Sequence, residues 1–444
     1  MKTKKIQIAL LSPKGPLYRH KTGIFRKSLR AAPLTLTTLA SLVPEDIDAE
    51  VKIYDEGVQD LPEIQADLIG MTVITGSAPR SYELSKIYRQ KGIPVVLGGP
   101  HITLIPEEAQ NYADSIVVGY AEETWPELLR DFVNNKLKPR YDMRPNFSFH
   151  DMRFIPFPKR ELLKKGTYKT INTIEATRGC VHNCEFCVVP SAWGRRPFQK
   201  PVSHVVDDIR QLRAKTVLFF DLNLIADRAY AKELFTALIP LKIKWVGLST
   251  TLLGKDNELL DLVAKSGCKG LLIGFESIQQ ESLKSFNKKF NDPSNYDELI
   301  YKLHSLGIAI NGTFVFGNDG DTIHSFDAVK DFAITKGIDL PRFSIMTPFP
   351  GTPLHQRLDT ERRILTNNWS LYDGQHVVFQ PKNITATELL EGHEKVWKEV
   401  YSYKGIFSRL KNKYSMILPI LVAANISYRY YANNLSKFYN CNVA

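Results

Sequence analysis

The sequence predicts an α/β protein with three parts: an N-terminal doubly wound parallel sheet, a partial (β/α)6 barrel, and a small, mostly helical C-terminal extension. Three observations carry this expectation. Apolar runs of strand length alternate with amphipathic stretches of helix length through residues 1–140 and again through 166–360, the pattern of parallel strands joined by crossover helices. Many of these runs end in glycine or other small residues, where a parallel sheet passes into its next helix. Between the two regions, residues 141–165 carry Pro145, Pro156 and Pro158 and read as a linker.

In the first region Ile6–Leu11 is the opening strand. Pro33–Val43 sets Leu34, Leu36, Leu39, Leu42 and Val43 at helical spacing. Val51–Tyr54, Ala66–Val73, Ile93–Leu97 and Ser115–Val118 read as strands, and Tyr82–Tyr88 and Glu122–Val133 as helices. Doubly wound sheets bind ligands outside the carboxyl ends of their strands, here Thr72–Ser77, Gly98–His101 and Gly119–Glu122. In the second region Thr173–Ala176 leads into a cysteine-rich loop. Strands follow at Thr216–Phe220, Lys244–Leu248, Gly270–Phe275, Ile308–Phe316 and Asp339–Thr347. The helices between them are Val205–Leu212, Ala229–Leu238, Asn257–Ser266, Asp297–Leu306 and Ser325–Thr335. A barrel of this kind also places its site at the strands' carboxyl ends. In the extension, residues 361–444, Glu388–Tyr403 reads as a helix followed by a basic, Tyr-rich tail.

Composition narrows the function classes. The 444 residues are 43% hydrophobic and 24% charged, which suits two or three globular domains and excludes collagenous or largely disordered chains. There are five Cys, too few and too odd for a disulfide scaffold, and three of them fall within eight residues, which points to metal in a reducing compartment. The basic N-terminus (Lys2, Lys4, Lys5) is followed only by the short run Ile6–Leu11, so no secretory signal is expected. The longest uncharged, mostly apolar run, Met416–Ile426, holds 11 residues including Pro419 and is too short to span a bilayer. The net charge of +11 is compatible with several acidic partners. Residues 401–440 carry Lys404, Arg409, Lys411, Lys413, Arg429 and Lys437, no Asp or Glu, and seven Tyr. That composition suits a membrane–water interface, and equally a helical hairpin packed on the barrel. Outside this tail no basic run interleaves with aromatics, which argues against nucleic acid. The expected location is cytoplasmic, with peripheral contact at the inner face of the membrane through 405–440.

The chemistry sits in residues 178–187, RGCVHNCEFC, where Cys180, Cys184 and Cys187 have the spacing C-x3-C-x2-C. Three thiolates on one loop attract a soft metal or an iron–sulfur cluster. A structural zinc site wants a fourth ligand, and His182 inside the loop has a spacing unlike the usual zinc pairs. Cys268, just before a strand, reads as a core residue, and Cys441 as incidental. Three ligands on a four-iron cluster leave one iron open to a cofactor or substrate.

With Phe186 ahead of Cys187, the motif resembles the signature of radical S-adenosylmethionine (SAM) enzymes. The resemblance implies a [4Fe–4S] cluster on the three cysteines, SAM on the open iron, and a one-electron reductant protein, flavodoxin or ferredoxin. It also implies cleavage of SAM to a 5′-deoxyadenosyl radical that attacks an unactivated carbon. Phe219–Asn223 stands where the family often has Gly-Gly-Glu and resembles the Asp-containing version of cobalamin-type members, which puts Asp221 at the SAM amino end. Glu276, in the segment Gly274–Ser277, resembles an acid that meets the sulfonium ligand or its ribose. Thr313, in Gly312–Gly317, resembles the segment that flanks the adenine, and Thr347–Pro353 the turn after the last strand.

The first region resembles the flavodoxin-like cobalamin-binding domain of the same class. That implies cobalamin contacts at Thr72, Gly98, Gly99, His101 and Gly119. The Asp-x-His-x-x-Gly loop that donates a lower axial His in one cobalamin group is missing, so binding is expected without that ligand. Trp369 and Tyr372–Lys382 resemble a C-terminal extension found in a subgroup with hopanoid-associated and other lipid-modifying members. The combined expectation is cobalamin-dependent C-methylation of a lipid, an isoprenoid or a secondary metabolite. Two alternatives stay open: cobalamin-free radical C–C bond formation, rearrangement or ring modification of a lipid, and a non-catalytic iron–sulfur binding protein.

Overall fold

The computed structural model describes residues 5–15, 31–143, 152–411 and 417–435. Six strands form the first sheet: β1 (Ile6–Ser12), β2 (Ala49–Asp55), β3 (Leu68–Thr72), β4 (Val95–Gly98), β5 (Ser115–Val118) and β6 (Arg140–Asp142), in the order β2-β1-β3-β4-β5-β6. All pairs are parallel. Its central strands are apolar along their length because helices cover both faces. Ile69, Leu97 and Val118 belong to one core, and Leu68, Val96 and Trp125 to the other. Strand β6 is absent from the sequence reading, which ends the strands at Val118. Two of its three residues are charged and pair with each other, Arg140 to Asp142 at 2.7 Å, and only Tyr141 is fully buried. Such an edge strand shows no apolar run.

The second sheet begins with β7 (Thr173–Ile174). A two-residue antiparallel hairpin follows, β8 (Thr177–Arg178) with β9 (Phe198–Gln199), and it encloses the cysteine loop. Then come β10 (Thr216–Phe219), β11 (Lys244–Ser249), β12 (Cys268–Glu276), β13 (Ala309–Phe316) and β14 (Arg342–Ile345). The order is β7-β10-β11-β12-β13-β14, all parallel, which is the expected six-stranded open barrel. Burial alternates along β13: Ile310, Gly312, Phe314 and Phe316 are buried, while Ala309, Asn311, Thr313 and Val315 are only partly covered on the opposite face. Cys268 is the first residue of β12 and fully buried, a core residue as expected.

Chain outside the sheets binds the parts together. Arg160, in the segment before the barrel, donates to Asp208 at 2.7 and 2.9 Å and to the Thr173 carbonyl at 2.6 Å. Glu108 of the first domain accepts from Trp369 Nε1 of the extension at 3.1 Å and from the Tyr82 hydroxyl at 2.9 Å.

Among the described residues the extension holds a 3-10 turn, Trp369–Leu371, and three α-helices, Ala386–Val400, Tyr403–Leu410 and Leu418–Ala432. The first α-helix stops short of the sequence reading because Ser402 starts a new helix, its hydroxyl accepting from Gly405 N at 3.0 Å. The last two form a hairpin on the barrel end, pinned by Arg409. Arg409 is buried and donates to the carbonyls of Ile338, Asp339 and Val400 and to Asn425 Oδ1, at 2.8 to 3.1 Å. Exposed apolar side chains stand on both of these helices: Phe407 is 71% and Ile420 67% exposed, and Tyr403, Val422 and Ile426 are exposed as well. Among the described residues no helix is long and apolar enough to cross a membrane. Lys413, Lys437 and Cys441 lie outside the described residues.

Replacing Arg409 with Leu removes a donor from four buried acceptors, of which the Asp339 carbonyl keeps Asn425 Nδ2 at 3.1 Å. Hydrogen exchange of residues 403–432 is expected to speed up about a hundredfold, roughly 3 kcal/mol of local stability. Unchanged protection there would show that the hairpin does not depend on this side chain.

Candidate active site

The cysteine loop leaves β8 and ends at a short helix, Val188–Trp193. It has almost no backbone ladder of its own, so neighbouring elements hold it. Asp221, at the end of β10, accepts from Ala176 N at 3.0 Å and from Thr177 N. Glu185 N donates to the Phe286 carbonyl at 2.9 Å, and Asn287 Nδ2 to the Asn183 carbonyl at 2.8 Å. The Glu185 carboxylate takes Arg357 Nε at 2.7 Å. His182 stacks on Phe290 with ring centroids 3.7 Å apart.

Burial pushes the Cys184 thiol up to about 12 and the Cys187 thiol to about 11. Both are protonated at neutral pH, so a bound metal has to draw out the thiolates. Asn223 Nδ2 points at Cys180 Sγ across 3.9 Å. Among the described residues no group of three or more His, Cys, Asp or Glu gathers to hold a single metal ion. In a four-iron cluster each thiolate takes its own iron, and the sulfurs stand apart.

Asp221 is buried with its carboxyl directed at the backbone that opens the cysteine loop. Burial raises it to about 7, against the pull of the amides it accepts from. Glu276 and Thr313 meet at the carboxyl ends of β12 and β13. Thr313 Oγ1 lies 3.4 Å from Glu276 Oε2, and Lys288 Nζ donates to Glu276 Oε1 at 2.7 Å. A register shift between Gly274 and Glu276, together with φ 62° at Glu276, turns that carboxylate back over the strand end. A Cβ on Gly274 would lie 2.3 Å from Glu276 Oε1 and 2.8 Å from Lys288 Nζ, so only glycine leaves room for the ion pair.

Beside the loop, a cavity of about 450 Å³ opens between the carboxyl ends of the first sheet and the start of the barrel. Thr72, Gly98, Gly99 and Gly119 line it from the first domain, and Arg178, Gly179, Trp193, Phe220 and Leu222 from the second. Phe220 and Leu222 are 38% and 43% exposed, an apolar surface ready for a ligand. Gly99 has φ +107°, and a Cβ there would lie 2.8 Å from Val73 N and O, so the strand end stays flat and close.

His101 does not line this cavity. It is fully buried on the other side of its helix, with Nδ1 3.3 Å from Thr75 Oγ1 and Nε2 3.6 Å from Glu108. Its ring meets Trp369 edge-on, with centroids 5.9 Å apart.

The sequence reading passed over a buried charge cluster on the cavity wall. Arg178 donates through Nη1 to Glu122 and through Nε to Glu175 at 2.8 Å, and its guanidinium lies 5.4 Å from the Tyr120 ring centre. Glu175 also faces Lys200 Nζ at 3.6 Å. Arg178 precedes Cys180 by two residues, which is the only hint a motif search had. Lys288 carried no hint, being one of several lysines in a polar turn.

The model of the radical SAM superfamily matches residues 174–333, and that of the B12 binding domain residues 32–129. A domain of unknown function, DUF4070, matches residues 352–439. The chain is 33% identical over 394 residues to the bacteriochlorophyllide d C-12(1)-methyltransferase of Chlorobaculum tepidum, covering 86% of this chain and 85% of that one. It is 31% identical over 394 residues to the C-8(2)-methyltransferase of the same organism, covering 85% and 87%. The solved structure of the radical SAM methyltransferase TsrM from Kitasatospora setae, with cobalamin and a [4Fe-4S] cluster bound, shares the fold at TM-score 0.67 and 17% identity, covering 98% of both chains.

Asp221→Ala removes the acceptor that holds the start of the cysteine loop, whereas Asp221→Asn keeps one. Iron and sulfide per chain after anaerobic reconstitution are expected to fall severalfold in the Ala variant and to stay near the parent in the Asn variant. Full iron loading in the Ala variant would remove this role.

Proposed function

This chain belongs to the radical SAM superfamily, in the branch that carries a B12-binding domain, and from that premise we infer that it methylates an unactivated carbon with a [4Fe–4S] cluster, SAM and cobalamin. The observation that supports this most is the shared wall: Arg178 and Gly179 line the same cavity as Gly98, Gly99 and Gly119, and the next residue is Cys180. A ligand in that cavity lies directly beside the cysteine loop.

The cluster and SAM supply the hydrogen-abstracting radical, and cobalamin supplies the methyl group. The chain supplies binding and orientation. Cys180, Cys184 and Cys187 hold the cluster. Glu276 and Thr313 face SAM at the barrel mouth, with Lys288 fixing the Glu276 carboxylate. Asp221 acts on SAM indirectly, by setting the loop. Thr72, Gly98, Gly99 and Gly119 give cobalamin a flat seat, while Phe220 and Leu222 keep water from its inner side.

The substrate is a small molecule, and we assign it to the large, mostly apolar kind that includes macrocyclic pigments and isoprenoid lipids. The exposed apolar side chains of the 403–432 hairpin, in a tail without acidic residues, support delivery from an anionic membrane surface. A flavodoxin- or ferredoxin-type protein delivers the electron.

Protein expressed with cobalamin available is expected to hold about one cobalt per four irons. With reductant, a methyl-deuterated SAM should pass its label to carbon of the product and yield 5′-deoxyadenosine. Iron without cobalt would end the methylation reading, and a protein giving no 5′-deoxyadenosine would not be an enzyme of this class. Glu276→Gln should weaken SAM binding about tenfold while the cluster spectrum is kept, and parent-like affinity would remove Glu276 from the SAM site. Deleting 405–444 should move the protein out of the membrane fraction, and a full-length chain already outside that fraction refutes the membrane contact.

A further inference from the structure

A carboxylate oxygen on the cavity wall has no partner among the described residues. Glu122 Oε1 accepts from Arg178, but Oε2 is buried and makes no hydrogen bond to any of them. An unpaired buried carboxylate oxygen is costly unless a ligand donor reaches it. The side chains of Glu122 and Arg178 are only 11% and 16% exposed, so this is not a solvated surface pair. A negative group entering here would be repelled by Glu122. A neutral amide N–H suits it, and the rim of a corrin ring carries such amides.

The other end of the pair leads to the cluster. Arg178 is gripped by Glu122 from the first domain and by Glu175 from its own strand segment, with Lys200 behind Glu175. The four charges cancel, so none is free to swing away without leaving a buried charge unpaired. Between Arg178 and Cys180 lies Gly179, where a Cβ would come within 2.5 Å of the Arg196 carbonyl. The main chain is tight at that point and has little slack to absorb a shift of Arg178.

We propose that Glu122 and Arg178 form a positioning relay in which Glu122 Oε2 takes an amide of the corrin rim and Arg178 passes the filling of the cavity on to the loop that carries Cys180. The proposal rests on the cobalamin reading above. It makes both residues positioning groups rather than catalytic ones. It also couples the two cofactor sites: an empty cavity leaves the cysteine loop in one setting, and a filled cavity draws it to another.

The test uses the full chain, anaerobically reconstituted, with hydroxocobalamin as the probe. Two quantities are read: cobalamin affinity from the visible spectrum, and the electron paramagnetic resonance signal of the reduced cluster with and without cobalamin. In the parent protein cobalamin should shift the cluster signal. Glu122→Gln should bind cobalamin about tenfold more weakly and lose most of that shift at saturation, with parent iron content. Arg178→Lys should bind with nearly parent affinity and still lose the shift. Should Arg178→Lys fail to hold its cluster, Glu122→Gln carries the test, because Glu122 sits in the other domain. A parent-like shift in Glu122→Gln, or no shift in the parent despite binding, overturns the relay. A parent protein that binds no cobalamin overturns the cobalamin reading itself, and the relay with it.

Discussion

The buried ion pair between Arg178 and Glu122 is the contact on which the geometry of the site depends. The two residues are 56 positions apart in sequence, Glu122 in the loop that follows β5 and Arg178 in β8 at the start of the cysteine loop. Their pairing sets the carboxyl ends of the first sheet against the entrance of the barrel, which is where parallel sheets of both kinds bind ligands. A buried pair is costly to desolvate and more costly to break. Glu175 and Lys200 extend it into a neutral set, and the Glu108–Trp369 contact ties the same domain to the extension some distance away. The first domain is therefore held at more than one point.

The cysteine loop illustrates a second constraint. A loop that presents three thiols to a cluster has few strand or helix partners for its own amides, yet buried amides must be satisfied. It borrows acceptors and donors from elsewhere: Asp221, the Phe286 carbonyl, and Asn287. Glu276 shows the same logic with strain added. A left-handed φ at a non-glycine residue costs about 1–3 kcal/mol and persists where surrounding contacts over-determine it. Here the contacts are Lys288 and Thr313, and the result is a carboxylate aimed at the barrel mouth instead of along the strand.

Much of this was legible from residue order. Alternation of apolar runs and helical spacing is a local property, and it located the strands of both parallel sheets, β6 excepted, to within a few residues of their ends. Cys180, Cys184 and Cys187 were legible as candidate ligands because three cysteines on one loop stand close in sequence. What misled was chemistry that depends on direction. His101 follows two glycines and a proline at a strand end and looks like a ligand contact, yet its ring is packed against Thr75, Glu108 and Trp369. Asp221 stands at the right strand end, but its carboxyl is committed to backbone amides. Strand β6 was hidden because its charges pair with each other and leave no apolar signal.

The sequence by itself determined the order of the parts, the parallel topology and the place of the cysteine loop, since each follows from periodicity or spacing along the chain. Only the tertiary structure decided which side chains face the cavity and which charges meet. Arg178 finds Glu122, and Lys288 finds Glu276, across turns whose geometry no local pattern encodes. The first pairing joins the loop after β5 to β8, and the second joins the end of β12 to the turn that follows the next helix. Burial then admits only charges that are matched.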